Sequence, residues 1–170
     1  MKNIIETRID LPSLVLEKNP IGVELGVARG IFSKKIINKY NFKTFYMIHR
    51  WRSIKSISRY LKLIKYSNQI TKTEVITLRG MFNEFVSSFS DNFFDFIYID
   101  GCAHTGQKKG QTIRDWLPKI KDNGVICGHD YCEEYPKTKH YVDLIGEENN
   151  FNINVIGNTD GHASWYYTKK

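Results

Sequence analysis

The sequence has few cysteines and no long apolar run, and both shortages narrow the classes of protein to which it can belong. Its three cysteines, Cys102, Cys127 and Cys132, form no Cys-x-x-Cys pair, so neither a disulfide framework nor a zinc knuckle is expected. No apolar stretch approaches the roughly 20 residues that cross a bilayer. Glu6 and Asp10 lie where a signal peptide would be apolar. We therefore expect a protein without a membrane span in the reducing cytoplasm.

Acidic residues are in the minority, with 18 aspartates and glutamates against 25 lysines and arginines and a formal net charge of +7. The surplus is densest over residues 50–72, where cations recur at roughly helical spacing: Arg50, Arg52, Lys55, Arg59, Lys62 and Lys65. Four apolar residues lie between them: Ile54, Ile57, Leu61 and Ile64. Two interpretations stay open. The segment is either a solvated helix face opposite a core face, or a groove that attracts an anionic partner such as nucleic acid.

Strand-like and helix-like segments alternate along the 170 residues. Apolar runs typical of buried strands lie at 22–25, 43–48, 75–78, 94–99, 125–128, 153–156 and 164–167. Helical patterns lie at 32–40, 54–64, 83–89, 105–120 and 140–147. Because the chain has no linker or internal repeat, this order predicts one doubly wound α/β domain over residues 1–170.

Polar side chains follow two of these predicted strands. Asp100 ends the run 94–99, and His129 and Asp130 follow the run 125–128. Ligands of open α/β sheets bind beyond the carboxyl ends of the strands, so we expect the three side chains in one crevice, which indicates an enzyme. The alternative is that the two aspartates only cap the following helices and that His129 bonds to the backbone.

A glycine-containing turn, Glu-Leu-Gly-Val-Ala-Arg-Gly at 24–30, follows the first predicted strand. Its two glycines allow a tight turn and a close approach of a ligand, although the dinucleotide pattern of three glycines is absent. A plain connection between strand and helix is the alternative. A buried carboxylate at Glu24 is costly without a partner, which favours a ligand. Gly26→Val is then expected to block binding by filling space that the ligand needs, with little effect on folding if the turn survives.

Three motifs together resemble the small class I S-adenosylmethionine-dependent methyltransferases. They are Glu-x-Gly-x-x-x-Gly at 24–30, Ile-Asp-Gly-x-x-His at 99–104 and Gly-His-Asp-Tyr at 128–131. The resemblance runs from about residue 21 to 131 and is greatest to macrocin O-methyltransferase and the sugar O-methyltransferases. It implies a Rossmann-like sheet of seven strands, mostly parallel with an antiparallel C-terminal strand, and helices on both faces.

The resemblance also implies how S-adenosylmethionine is bound. The residues for its methionine end are Glu24, Gly26, Ala28, Gly30 and Ser33, with Asp100 near the amino group. Family members often have an aspartate for the ribose hydroxyls where this chain has His49, and a neutral imidazole still forms a hydrogen bond there. Met81 or Phe82 would pack on the adenine, unless both serve only the core.

The catalytic residues implied by the resemblance are His104, as the proton acceptor, and Asp100. A divalent ion, magnesium or manganese, would bind to Asp100, His129 and Asp130 and orient the acceptor hydroxyl. The expected reaction is O-methylation of a small acceptor such as a sugar or glycan. N-terminal helices that often cover this pocket in the family are not expected in this sequence, for which either a homo-oligomer or an open site would compensate. A nucleic-acid-directed methyltransferase or binding protein, and a non-catalytic protein of this fold, are the competing hypotheses.

Overall fold

The computed structural model describes residues 5–67, 69, 72–100, 106–157 and 162–169. Seven strands occur in this part of the chain. They are β1 Ile21–Leu25, β2 Thr44–His49, β3 Glu74–Arg79, β4 Phe94–Ile99, β5 Ile120–Gly128, β6 Asn154–Ile156 and β7 Ser164–Thr168. All seven predicted runs are strands. The central strand β4 is buried along its whole length, as expected of a parallel strand covered on both faces, whereas the edge strand β6 is largely exposed.

The strands form a single sheet in the order β3-β2-β1-β4-β5-β7-β6. The pairs from β3 to β5 are parallel, and β7 is antiparallel to both of its neighbours. This is the mostly parallel, Rossmann-like sheet with an antiparallel C-terminal strand that was predicted. The order reverses at β1, which places β1, β2 and β4 around the crevice where ligands bind in such sheets.

Helices cover both faces of the sheet. The α-helices are α1 Ile31–Lys39, α2 Ile54–Ser67, α3 Phe82–Phe85, α4 Gln111–Trp116 and α5 Pro136–Glu148. Short 3-10 helices span Arg8–Leu14, Val86–Ser88, Gln107–Gly110 and Leu117–Lys119. Two buried clusters result: one packs α4 and α5 against the sheet, and the other packs α1, α2 and the first 3-10 helix. No helix in the described part of the chain is long and apolar enough to cross a membrane.

The helix predicted over residues 105–120 is much shorter in the structure. Its α-helical part is only α4, and Thr105, the predicted cap, lies outside the described residues. Gly110 has φ +70°, and a Cβ there would lie 2.8 Å from the side chain of Ile145 in α5. Lys108 and Lys109 also have positive φ. The chain therefore bends tightly beneath α5 before α4 begins.

The apolar stripe predicted for the basic segment is not the buried face of α2. Ile54 is 90% exposed and Leu61 is 59% exposed, whereas Leu63 is buried. The helix lies beside β3, an edge strand of the sheet, so it has only a narrow surface to cover. Among the described residues of α2, Leu63 alone is buried.

Candidate active site

A pocket of about 310 Å³ opens at the carboxyl ends of β1 and β4. We call it the glycine-turn pocket. Its main lining residues are Arg8, Glu24, Gly26, Ala28, Phe32 and Asp100. The wall also contains three further cationic residues: Arg29, Lys35 and Arg59. This cavity thus brings together four of the residues predicted for the methionine end of the cofactor: Glu24, Gly26, Ala28 and Asp100.

The turn between β1 and α1 is held tightly from both sides. Gly26 donates its N–H to the carbonyl of Ile48 at 2.9 Å, and the carbonyl of Leu25 accepts from the Asp100 N–H at 2.8 Å. A Cβ at Gly26, where φ is +111°, would lie 1.6 Å from the carbonyl oxygen of Asp100. The condition attached to the Gly26→Val expectation, that the turn survives the substitution, is therefore not met. The valine would collide with the protein backbone itself, so the variant would perturb the fold rather than only a ligand.

Gly30 has a structural role at the end of the same turn. Its φ is +69°, and a Cβ there would lie 2.2 Å from Leu63 Cδ2 on α2. The residue caps the start of α1 in a left-handed conformation. Gly30 therefore lets α2 pack closely on the turn and shapes the pocket from behind.

Glu24 is buried at the floor of the pocket, and the hydroxyl of Ser33 donates to its carboxylate. Burial, with the nearby Asp100 as a second cause, raises the pKa of Glu24 to about 8. An approaching cation would lower the pKa of such a carboxyl group, because an opposite charge favours the ionised form. Ser33 is itself fully buried, and its hydroxyl contacts the Glu24 carboxylate and not the cavity.

Asp100 pairs with Arg8, a residue that the sequence analysis missed. Arg8 Nη1 lies 3.2 Å from Asp100 Oδ2 and donates to the Tyr98 hydroxyl at 3.1 Å. The guanidinium also lies 5.1 Å from the centroid of the Phe32 ring, a cation–π distance. Burial raises the pKa of the Asp100 carboxyl, and the positive charge of Arg8 opposes that shift. The available signal was the Thr-x-x-Asp pattern at 7–10, which forms a capping box that fixes Arg8 in place.

The predicted divalent-metal site is not supported by the structure. Within the described ranges, no group of three His, Cys, Asp or Glu side chains is placed to hold an ion. His129 Nδ1 lies 3.0 Å from Asp130 Oδ1, while the carboxylate of Asp100 faces Arg8. Asp100 is thus paired with a guanidinium and Asp130 with an imidazole, and these residues do not fit a metal centre.

The residues predicted for the ribose and adenine also lie together. His49, Arg50, Met81 and Phe82 line a small apolar pocket at the ends of β2 and β3, which we call the strand-end pocket. The ring of His49 makes an edge contact with Trp51, with 5.1 Å between the ring centroids. The predicted base, His104, lies outside the described residues.

Met81 and Phe82 also border a third cavity, of about 360 Å³, between α3 and α4. We call it the α3–α4 cavity, and its other lining residues are Asn83, Lys108, Gln111, Thr112, Asp115 and Trp116. None of the residues predicted for the methionine end lines it. It is larger than the glycine-turn pocket, yet it lacks the strand-end carboxyl groups on which the site prediction depends.

A family model described as "Methyltransferase domain" matches residues 23–131, more than half of the chain. The chain belongs to that family and is an S-adenosylmethionine-dependent methyltransferase. No curated protein matches the sequence.

Solved structures share the fold at low sequence identity. A Staphylococcus aureus protein assigned as a caffeoyl-CoA O-methyltransferase is 16% identical with a TM-score of 0.67, over 98% of this chain and 85% of that chain. Precorrin-6y C5,15-methyltransferase from Geobacter metallireducens is 15% identical with a TM-score of 0.69, over 95% and 87%. Precorrin 8w decarboxylase from Methanobacterium thermoautotrophicum is 18% identical with a TM-score of 0.70, over 100% and 92%. Since the three are named for different reactions, their likeness establishes the fold alone.

Proposed function

We propose that the protein transfers a methyl group from S-adenosylmethionine to a hydroxyl group of a small acceptor of the sugar or glycan type. The observation that carries this proposal is the gathering of the predicted cofactor residues into two neighbouring pockets at one edge of the sheet. The motif resemblance to sugar O-methyltransferases favours oxygen as the acceptor atom. The similar fold of the Staphylococcus aureus O-methyltransferase agrees with it.

The cofactor would span both pockets. Its methionine end would lie over Gly26 and Ala28, with its ammonium group between Glu24 and Asp100. The ribose would lie at His49, and the adenine would pack beside Met81 and Phe82. Two further residues would act without touching the ligand. Ser33 would orient the Glu24 carboxyl, and Gly30 would support the turn.

The methyl group of S-adenosylmethionine is already activated by its attachment to a sulfonium, so the protein's main task is alignment. Holding donor and acceptor in line removes much of the entropic barrier. His104 would accept the proton of the acceptor hydroxyl, since an imidazole titrates near neutral pH. Asp100 would contribute by orienting the donor through its ammonium group. No step in this scheme uses a metal.

The cellular setting is proposed on the same basis. The described cysteines, Cys127 and Cys132, are free thiols, which agrees with a reducing, cytoplasmic compartment. We further propose that residues 1–170 act as one catalytic domain, with the acceptor side closed by a second copy of the chain in a homo-oligomer.

A direct test combines ligand binding with a methyl-transfer assay. S-adenosylhomocysteine should bind in calorimetry, and a methyl group should pass from S-adenosylmethionine to a hydroxyl of a sugar in an acceptor panel. Activity should persist in a chelator. His104→Ala should slow turnover by roughly 10²- to 10⁴-fold, the usual contribution of a positioned base, with unchanged cofactor affinity. Absence of cofactor binding at millimolar concentration would indicate a non-catalytic member of the fold and contradict the proposal.

A nucleic-acid acceptor is the second candidate, and the surface of α2 favours it. Lys55, Lys62 and Lys65 are exposed on this helix, and the helix contains no acidic residue. RNA bound through such a face should lose affinity steeply with salt, with a slope of about −0.7 per phosphate contact on a single strand. Methyl transfer to RNA, weakened by replacing the three lysines with glutamine, would favour this candidate over the sugar acceptor.

A further inference from the structure

An apolar stripe runs along α2 on a side of the helix that is not its buried side. At about 3.6 residues per turn, one side of the helix carries four apolar residues: Ile54, Ile57, Leu61 and Ile64. Ile54 is 90% exposed and Leu61 is 59% exposed. The buried cluster beneath the helix instead contains Leu63, with Tyr60 packed against it. The described part of the chain therefore leaves much of this stripe uncovered.

Positive charge lies beside the stripe, without acidic residues to balance it. Lys55, Lys62 and Lys65 are exposed on the adjacent side of α2. Neither α2 nor the neighbouring helix α1 contains an aspartate or a glutamate. We call the four apolar residues and these three lysines the amphipathic face of α2. It combines exposed aliphatic side chains with a surplus of positive charge.

The tyrosines of α2 are already engaged within the protein. Tyr60 lies against Trp51, with 4.9 Å between the ring centroids. Tyr66 donates its hydroxyl to Asn38 at 3.0 Å, and the Lys34 ammonium lies 4.5 Å from its ring centroid. Proteins that bind single-stranded nucleic acid stack bases on aromatic rings. RNA on this face would satisfy the lysines and leave the aliphatic stripe in water.

We propose that the amphipathic face of α2 docks on the surface of a lipid bilayer that contains anionic headgroups. A helix of this kind lies in the interface, with its apolar side chains at the acyl boundary and its lysines among the headgroups. A second copy of the chain fits the face less well, because a twofold contact would bring the same lysines together. The docking is peripheral, and it does not depend on which acceptor the protein methylates.

Flotation of the full chain with phospholipid vesicles tests this docking. At low salt the protein should float with vesicles of phosphatidylcholine and phosphatidylserine, and bind at least roughly 10-fold more weakly to phosphatidylcholine alone. High salt should weaken the binding, since it screens the lysines. Replacing Lys55, Lys62 and Lys65 with glutamine should weaken it by roughly 100-fold, at about 5-fold per lysine.

The apolar stripe is tested by a variant that keeps every charge. Ile54→Ser combined with Leu61→Ser should weaken vesicle binding by roughly 10-fold or more, because two exposed aliphatic side chains no longer enter the bilayer. Leu16→Ser is the matched control: this leucine is 84% exposed but lies outside α2, beside Asp95 of β4, so binding should be unchanged. Thermal unfolding checks that each variant is folded, and Leu61→Ser alone repeats the test if the double variant is not.

The outcomes distinguish a bilayer from the other occupants of this face. Unchanged vesicle binding by the serine variant would overturn the proposal, because the lysines alone would then explain adsorption. Absence of flotation with anionic vesicles at millimolar lipid would overturn it as well. Salt-sensitive binding of single-stranded RNA without vesicle binding would assign the face to nucleic acid. A dimer that dissociates in the serine variant, again without vesicle binding, would assign it to a second copy of the chain.

Discussion

The indole nitrogen of Trp51 donates a hydrogen bond of 2.9 Å to the carbonyl oxygen of Ala28. Both residues have a positive φ, +37° at Trp51 and +47° at Ala28, which is an unfavourable conformation for residues with a side chain. Trp51 is 1% exposed. This one bond joins the turn of the glycine-turn pocket to the segment after β2, which borders the strand-end pocket. It adds to the bond from the Gly26 N–H to the Ile48 carbonyl in fixing the relative position of the two pockets.

Replacing Trp51 by phenylalanine should lower both stability and cofactor affinity. The variant loses the hydrogen bond and part of a buried ring, at a cost of about 1–3 kcal/mol in the free energy of unfolding. The turn would loosen, and S-adenosylhomocysteine should bind several-fold more weakly. Trp165→Phe is the matched control, because the Trp165 Nε1 is buried without a hydrogen-bond partner among the described residues. That control should lose stability but not affinity.

Glu24 predicts a pH dependence of stability. Its pKa is raised to about 8 in the folded protein from an ordinary value of 4.5, so the folded state holds a proton that the unfolded state has released. The free energy of unfolding should therefore fall as the pH rises from 5 to 8. Denaturant titrations at several pH values measure this slope. Glu24→Gln should flatten it, whereas a change at the exposed Glu147 to glutamine should leave it unchanged.

Gly30 and Leu63 should show energetic coupling. Gly30→Ala places a Cβ against Leu63 and strains a position with φ +69°, at a cost of about 2–4 kcal/mol. Leu63→Ala alone removes a buried side chain from α2 and costs about 2–5 kcal/mol. The double variant regains the space, so it should be at least about 1 kcal/mol more stable than the sum of the single changes predicts. Strict additivity in chemical denaturation would contradict close packing of α2 on the turn.

His49→Asp should tighten binding of S-adenosylhomocysteine. A hydrogen bond to a charged acceptor contributes roughly 1.5–3 kcal/mol and a neutral one about 1, so a gain of several-fold in affinity is expected. Arg79 lies opposite His49 in the sheet register and would help to keep the new carboxylate ionised. His49→Asn has the size of aspartate without its charge and should not reproduce the gain. Weaker binding by the aspartate variant would contradict the placement of the ribose hydroxyls at His49.

The strands and the buried acid of the site were predictable because they depend on local sequence. Runs such as Phe94–Ile99 are apolar enough to require burial, and a carboxyl group at the end of such a run faces the crevice. The ion pair between Asp100 and Arg8 was not predictable, because Arg8 lies 92 positions away on a segment without strong periodicity. The length of α4 was also missed, because it depends on the packing of Gly110 against α5.

The most direct test of the central assignment is a crystal structure with S-adenosylhomocysteine bound. The ligand's ammonium group should lie within hydrogen-bonding distance of Asp100, its ribose beside His49 and its adenine beside Met81 and Phe82. Density in the α3–α4 cavity bordered by Gln111, Asp115 and Trp116, with the glycine-turn pocket left empty, would contradict it.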